Sequence, residues 1–302
     1  MMPFDHQVRA DALAVNVATQ ADRLPTMLAI HAHWRATGEG APADLSGWFL
    51  QGAQLIDVDL EHAVLRFAVL AEADLTGSKL SGVDFGRADL RLANLRSATL
   101  EKAQFGSVRM ERCVLVEAGL SEAAFSACSM DYADAEGARM FESVLIKSGL
   151  RKARFVRASL HRARIEECDA HEADFSGAQL IRARVAFTRF TLARFEQANC
   201  SGAQFKGCHF VRGSCDGAQF TRGELSRCVC TNASFRSCDF TGANLTGTDF
   251  SSADLSGSNF RGATLATTDF RSANLTNVRG LQKEQLRRAL ISKQTLLPAG
   301  VR

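Results

Sequence analysis

From Leu45 onward a large apolar residue returns at every fifth position. Leu45, Leu50, Leu55, Leu60, Leu65, Leu70, Leu75, Leu80, Phe85 and Leu90 open a series that reaches Phe270 and Leu275 without an insertion. A small residue, usually Ala, stands two positions before each of these centres, as at Ala73, Ala88, Ala153, Ala243 and Ala263. A period of five matches neither the 3.6 of an α-helix nor the 2.0 of a flat strand, so the chain must turn a corner once per unit. Gly, Ser, Thr and Asn between the apolar positions suit such tight turns.

The pattern lapses at both ends. Residues 5–36 read as helical, with Pro25 dividing two segments and Met27, Ile30, His31 and Trp34 forming one face. Beyond the repeat, Leu281 to Ile291 carries a stripe of Leu281, Leu286, Ala289 and Leu290, with Pro298 following, and a second helix is expected there.

The unit A-x-[LF]-x-x is explicit in Ala243-Asn244-Leu245-Thr246-Gly247 and Ala253-Asp254-Leu255-Ser256-Gly257. It resembles the pentapeptide-repeat family, over 47 consecutive units. The resemblance implies an all-β fold, a right-handed parallel β-helix of square section. Four units make one coil, and the centre and the residue two before it point inward while the other three point out. The repeat would then make about twelve coils, a rod on the order of 55 Å long, with residue n stacked on n+20. An open tube end exposes apolar cross-section and unpaired backbone, so caps are needed. The expected division is a helical N-terminal cap over 1–40, the β-helix over 41–278, and a C-terminal helical cap and tail over 279–302. The run His31-Ala32-His33-Trp34 before Ala43-Asp44-Leu45-Ser46-Gly47 is similar to the family's leading helix, and the stretch from Leu281 to its closing helix.

This frame disposes of most candidate chemistry. All nine cysteines fall at inward positions: Cys113, Cys128, Cys168, Cys208, Cys228 and Cys238 two before a centre, and Cys200, Cys215 and Cys230 as centres. They read as small core hydrophobes rather than a disulfide framework. Cys208 and Cys228 should stack, but no His or carboxylate shares their column to complete a zinc site. The seven histidines show no ligand spacing, and His31 and His33 read as cap residues. Phosphate loops, nucleophile elbows and C-x-x-C motifs are missing, and Glu166 and Glu167 sit at exposed positions. The expectation is a protein without catalytic, cofactor or metal residues. Ala135 and Ala170 as small centres, and Trp48 at a small-residue position, read as local packing adjustments.

The formal charge of +3 is small, but it is unevenly spread. Residues 41–140 hold 9 Lys/Arg against 15 Asp/Glu, and residues 141–240 hold 16 against 10. Within the basic part, Arg162 and Arg182 should stack at one corner and Arg164 and Arg184 on the adjoining face, with Arg222 farther along. Phe141, Val144, Ile146, Ile181 and Phe187 are outward apolar residues expected around the same corner. These ten residues are the candidate partner-binding set.

The expected function is therefore a rigid interaction or scaffold module for a protein partner. The resemblance also implies two more specific biologies: an accessory, adaptor or effector of a bacterial secretion system such as type VI, and, as the alternative, a DNA-mimicking protein that binds gyrase. Mimicry requires long outward columns of carboxylate. Here Asn94 and Val114 interrupt the column of Asp74 and Asp134, and the middle of the rod is basic. The modest charge argues against a nucleic-acid partner. No apolar run suggests a membrane span, and the N-terminus lacks a secretory pattern, so the cytoplasm is expected, with export by a signal-independent route left open. Some relatives dimerise end to end, which the resemblance extends to this chain.

Overall fold

The computed structural model describes residues 4–300, and the side chains of its first helix from Gln20 onward, Ala21 excepted. Helix α1 (Phe4–Thr37) leads into a right-handed parallel β-helix of square section. One sheet is continuous enough to form named strands, β1 (Gln104–Gly106), β2 (Ala124–Ser126), β3 (Val144–Ile146), β4 (Arg164–Glu166), β5 (Arg184–Ala186) and β6 (Gln204–Lys206). They pair in sequence order, in parallel, each residue beside the one 20 positions later.

This regular ladder makes five turns, from Gln104 to Gln204, rather than the about twelve expected from the repeat. Elsewhere the same 20-residue register is held by single bridges, from Asp44↔Val64 to Asn259↔Arg279. The reason is local. Most units leave one extended residue between two turns, which is too little for a strand.

Each unit uses its backbone in the same way. The N–H of the centre bonds to the next turn (Leu65 to the Asp84 carbonyl, 2.8 Å), the N–H before it bonds to the previous turn (Val64 to Ala43, 2.9 Å), and a corner N–H bonds forward (His62 to Ser81, 2.8 Å). A fourth closes the turn, as Ala63 to Leu60 at 3.0 Å. The fifth N–H, on the first corner residue, has no backbone acceptor among the described residues, and where an Asp or Asn stands two residues earlier its side chain commonly takes it, as in Asp44 to Ser46, Asp74 to Thr76, Asn94 to Arg96, Asp249 to Ser251 and Asn274 to Thr276, at 2.9–3.2 Å. The polar residue just before a centre is thus a backbone-satisfying group.

The centres and the residues two before them fill the tube, as expected, and Phe centres stack along it. Phe105 lies 5.2 Å from Phe85 and 4.5 Å from Phe125, and Phe175 lies 4.9 Å from both Phe155 and Phe195. The second corner residue takes positive φ whether or not it is glycine, as at Gly47 (69°), Leu92 (60°) and Arg182 (57°).

Both ends differ in detail from the sequence reading. Helix α1 continues through Pro25 instead of dividing there. A proline forfeits one helical hydrogen bond, but Leu24, Met27 and Leu28, on both sides of it, pack against the tube core and hold the axis. The buried face is therefore Leu24, Met27, Leu28 and His31, and Ile30 is half exposed. The helix supplies acceptors to the open first edge: Gln20 Oε1 takes the Phe49 N–H at 2.8 Å and His31 Nδ1 the Ala43 N–H at 3.0 Å.

At the other end the expected helix from Leu281 to Ile291 shrinks to α2 (Lys283–Leu286). The chain after it pairs with the last turn instead, through bridges Asp269↔Leu290 and Asn274↔Leu296. Backbone bonds to the open edge outweigh the helical stripe, so Leu290 is half exposed rather than buried.

Candidate partner-binding face

The corner residues after Leu160 and Leu180 send Arg162 and Arg182 outward. Two positions later Arg164 and Arg184 stand side by side as the first residues of β4 and β5. All four side chains are exposed, and together with Glu142, Val144, Gly202 and Gln204 they line one shallow groove. The expected arginine quartet is thus assembled. Arg222 belongs to the same corner line but is set apart from the groove, because Gly202, one turn before it, contributes no side chain.

The four arginines are not equivalent. Arg162 donates to Glu142 at 3.2 Å and lies 5.9 Å from the Phe141 ring centroid. Arg164 forks onto Glu166 at 2.6 and 2.7 Å, a bond that holds the Glu166 carboxyl below the usual carboxylate range. Among the described residues, no carboxylate lies within ion-pair distance of Arg182 or Arg184. Elsewhere arginines commonly sit on the turn-forming aspartates: Arg91 and Arg109 on Asp89, Arg151 and Arg189 on Asp169, and Arg271 on Asp269.

The apolar candidates do not merge into one patch. Phe141 and Ile181 lie along the arginine corner with His161 between them, and Val144 and Ile146 flank the inward Leu145 on β3. Phe187 is at the opposite corner of the face, 59% exposed and 5.7 Å from Lys206 Nζ. The apolar residues border the basic groove on two sides.

The thiols lie inside the wall, all nine free and buried. Burial raises the Cys128 and Cys168 pKa values to about 11 and pushes Cys200 up as well, which disfavours the nucleophilic thiolate. Several are more than hydrophobic filler. Cys128, Ser148, Cys168, Thr188, Cys208, Cys228, Thr248 and Thr268 form one inward line at 20-residue spacing. In it Cys168, Cys208 and Cys228 donate to the carbonyls of Leu145, Val185 and Phe205 at 3.4, 3.6 and 3.1 Å, as Thr248 does to Leu225 at 2.8 Å. The common 20-residue phase of Cys, Ser and Thr was the sequence signal for this seam.

Among the described residues no group of three or more His, Cys, Asp or Glu is placed to hold a metal ion, and no helix is long and apolar enough to cross a membrane. The outward aspartates are largely occupied by turn N–H groups or arginines, and their columns alternate with other residues, as in Asp74, Asn94, Val114 and Asp134.

A square parallel β-helix with five-residue sides defines a class of solenoid built from one repeated unit. The chain belongs to the pentapeptide-repeat family: the family model for pentapeptide repeats matches residues 50–87, 79–112, 138–177, 158–197, 173–212, 214–251 and 248–279. Comparison with curated proteins gives no match. Among solved structures, it is similar to HetL, a pentapeptide repeat protein involved in heterocyst differentiation regulation from the cyanobacterium Nostoc sp. strain PCC 7120. The identity is 24%, with 80% of this chain and 94% of that chain covered, and the TM-score is 0.38. It is also similar to QnrB1, a plasmid-mediated fluoroquinolone resistance protein, at 16% identity, 82% and 91% coverage and a TM-score of 0.24.

Proposed function

We propose that the chain is a non-catalytic interaction module that presents the face bearing β1–β6 to a protein partner. The observation that carries this reading is the fixed register of that face. Neighbouring turns hold Arg164 beside Arg184, and the adjoining corner adds Arg162 and Arg182, so four cationic side chains project from backbone positions locked by the ladder. A preorganised array binds with less ordering cost than the same groups on loops. Raised thiol pKa values and turn-engaged aspartates support an inert scaffold rather than a reactive site. The interrupted carboxylate columns support this reading over duplex mimicry.

Affinity capture from the native host, with mass spectrometry, tests it. The full chain should retain a specific protein that the variant Arg162→Glu/Arg164→Glu/Arg182→Glu/Arg184→Glu loses. All four residues are exposed, so the β-helix should remain folded by circular dichroism. Equal capture by both forms would remove this face from the interaction.

A further inference from the structure

We propose that the groove over β4 and β5 takes an extended acidic segment of the partner protein, with carboxylates two residues apart seated on Arg182 and Arg184. This rests on the reading of that face as the docking surface and names what it recognises.

Two of the four arginines carry uncompensated charge. Arg162 and Arg164 have internal carboxylates, Glu142 and Glu166, whereas Arg182 and Arg184 have none among the described residues. The difference is built into the sequence. The position that supplies Glu166 to Arg164 holds Ala186 one turn later. The position that supplies Glu142 beneath Arg162 holds Arg162 itself beneath Arg182, and Gly202 above it. Two guanidinium forks are therefore left facing out beside like charges. This arrangement does not favour folding, and a bidentate carboxylate would relieve it.

Spacing selects the shape of the ligand. Arg182, at the corner with φ 57°, and Arg184, which opens β5, are separated by the single inward residue Ala183 and line the same groove, and same-side residues of an extended peptide are likewise separated by one residue, roughly 6–7 Å apart. A segment lying parallel to β5 can thus place carboxylates i and i+2 on the two arginines. Gly202, on the next turn, has no side chain and leaves room for its backbone beside Gln204, and Val144 also lines the groove.

The same geometry disfavours nucleic acid. The basic stripe covers only two turns before it meets Gly202 and Gln204, and Glu142, Glu166 and Glu167 border it. A phosphate backbone needs a longer cationic track without carboxylates along its edge.

The test uses the full chain and a fluorescein-labelled peptide of alternating Glu and Ser, followed by anisotropy. Binding should be salt-sensitive, and Arg182→Gln/Arg184→Gln should weaken it by about tenfold or more. The same charge change at Arg287 and Arg288, near α2, should leave it unaltered. Three results would overturn the inference: no binding at millimolar peptide, equal loss with the control pair, or tighter binding of a single-stranded oligonucleotide of equal charge that depends on the same arginines. Failure here with host capture still abolished by the quadruple Glu variant rejects the acidic segment but keeps the face. Peptide binding with capture unchanged rejects the face as the docking surface and the inference with it.

Discussion

Arg184 lies directly beside Arg164 in the parallel ladder, yet only Arg164 has a carboxylate of its own, that of Glu166 two residues on. Ala186 occupies the equivalent place after Arg184. Ala186→Glu should give Arg184 an internal partner and compete with any ligand. The expected outcome is weaker binding of the acidic peptide, with stability changed by no more than about 0.5 kcal/mol, since exposed pairs contribute little. Anisotropy and thermal melting check the two halves separately.

The inward thiols should be slow to label in the native protein and should all react after denaturation. Within the set, the position decides the effect of substitution. Cys208→Ser keeps a donor to the Val185 carbonyl in a line already containing Ser148 and Thr188, so it should cost under about 1 kcal/mol. Cys200 is a centre, buried in the core, so Cys200→Ser would bury a hydroxyl in place of an apolar group and should cost about 1–3 kcal/mol. Urea denaturation of the two variants decides it, and equal losses would remove the distinction between seam and centre.

His31 gives the α1 junction a pH dependence of definite sign. Its burial, the largest effect, lowers its pKa from 6.5, with Arg35 and His62 acting in the same direction and Asp59 and Glu61 opposing. The fold therefore holds the neutral ring, whose Nδ1 accepts the Ala43 N–H. Its contribution is present above the unfolded value near 6.5 and is lost as pH falls through the lower folded value. His31→Gln offers an acceptor that does not titrate. The decline in melting temperature of the parent on acidification below 6.5 should be smaller in this variant.

Removing residues 281–302 takes away Leu290 and Leu296, which pair with Asp269 and Asn274, and Thr295, whose hydroxyl donates to the Phe270 carbonyl at 2.8 Å. The last turn becomes an open edge. Sedimentation velocity should show concentration-dependent association of the truncated chain beyond that of the full chain. A truncated form with unchanged sedimentation would mean that this segment does not protect the end.

Leu92 is half exposed with φ 60°, a conformation that a side chain opposes and glycine does not. Leu92→Gly should be neutral or stabilising by up to about 1 kcal/mol, whereas Gly47→Ala, at φ 69° with open space around it, should destabilise by about 1 kcal/mol. Chemical denaturation of the pair tests whether corner conformation or side-chain packing dominates.

The inward and outward assignment was legible because a five-residue period leaves little freedom: Phe105, Cys168 and Ala203 are buried where the frame places them. The arginine quartet followed from the same count. What the period could not convey was bonding between different kinds of group. The turn role of Asp74 and the donor role of Cys228 become visible only when the unmatched N–H and carbonyl groups are known. The ends escaped for a related reason. The course of α1 through Pro25, and of the chain after α2, is set by contacts with the tube rather than by local periodicity.

The 20-residue register also makes the molecule sensitive to the phase of its own length. Excising one five-residue unit between α1 and Arg162 would preserve the apolar frame and the core, yet rotate every later azimuth by a quarter turn relative to α1. The arginines would then look out from a different side of the rod. Excising four such units would shorten the rod by one pitch and return them to their original bearing, so unit number acts as a rotary setting for surface chemistry that composition leaves unchanged.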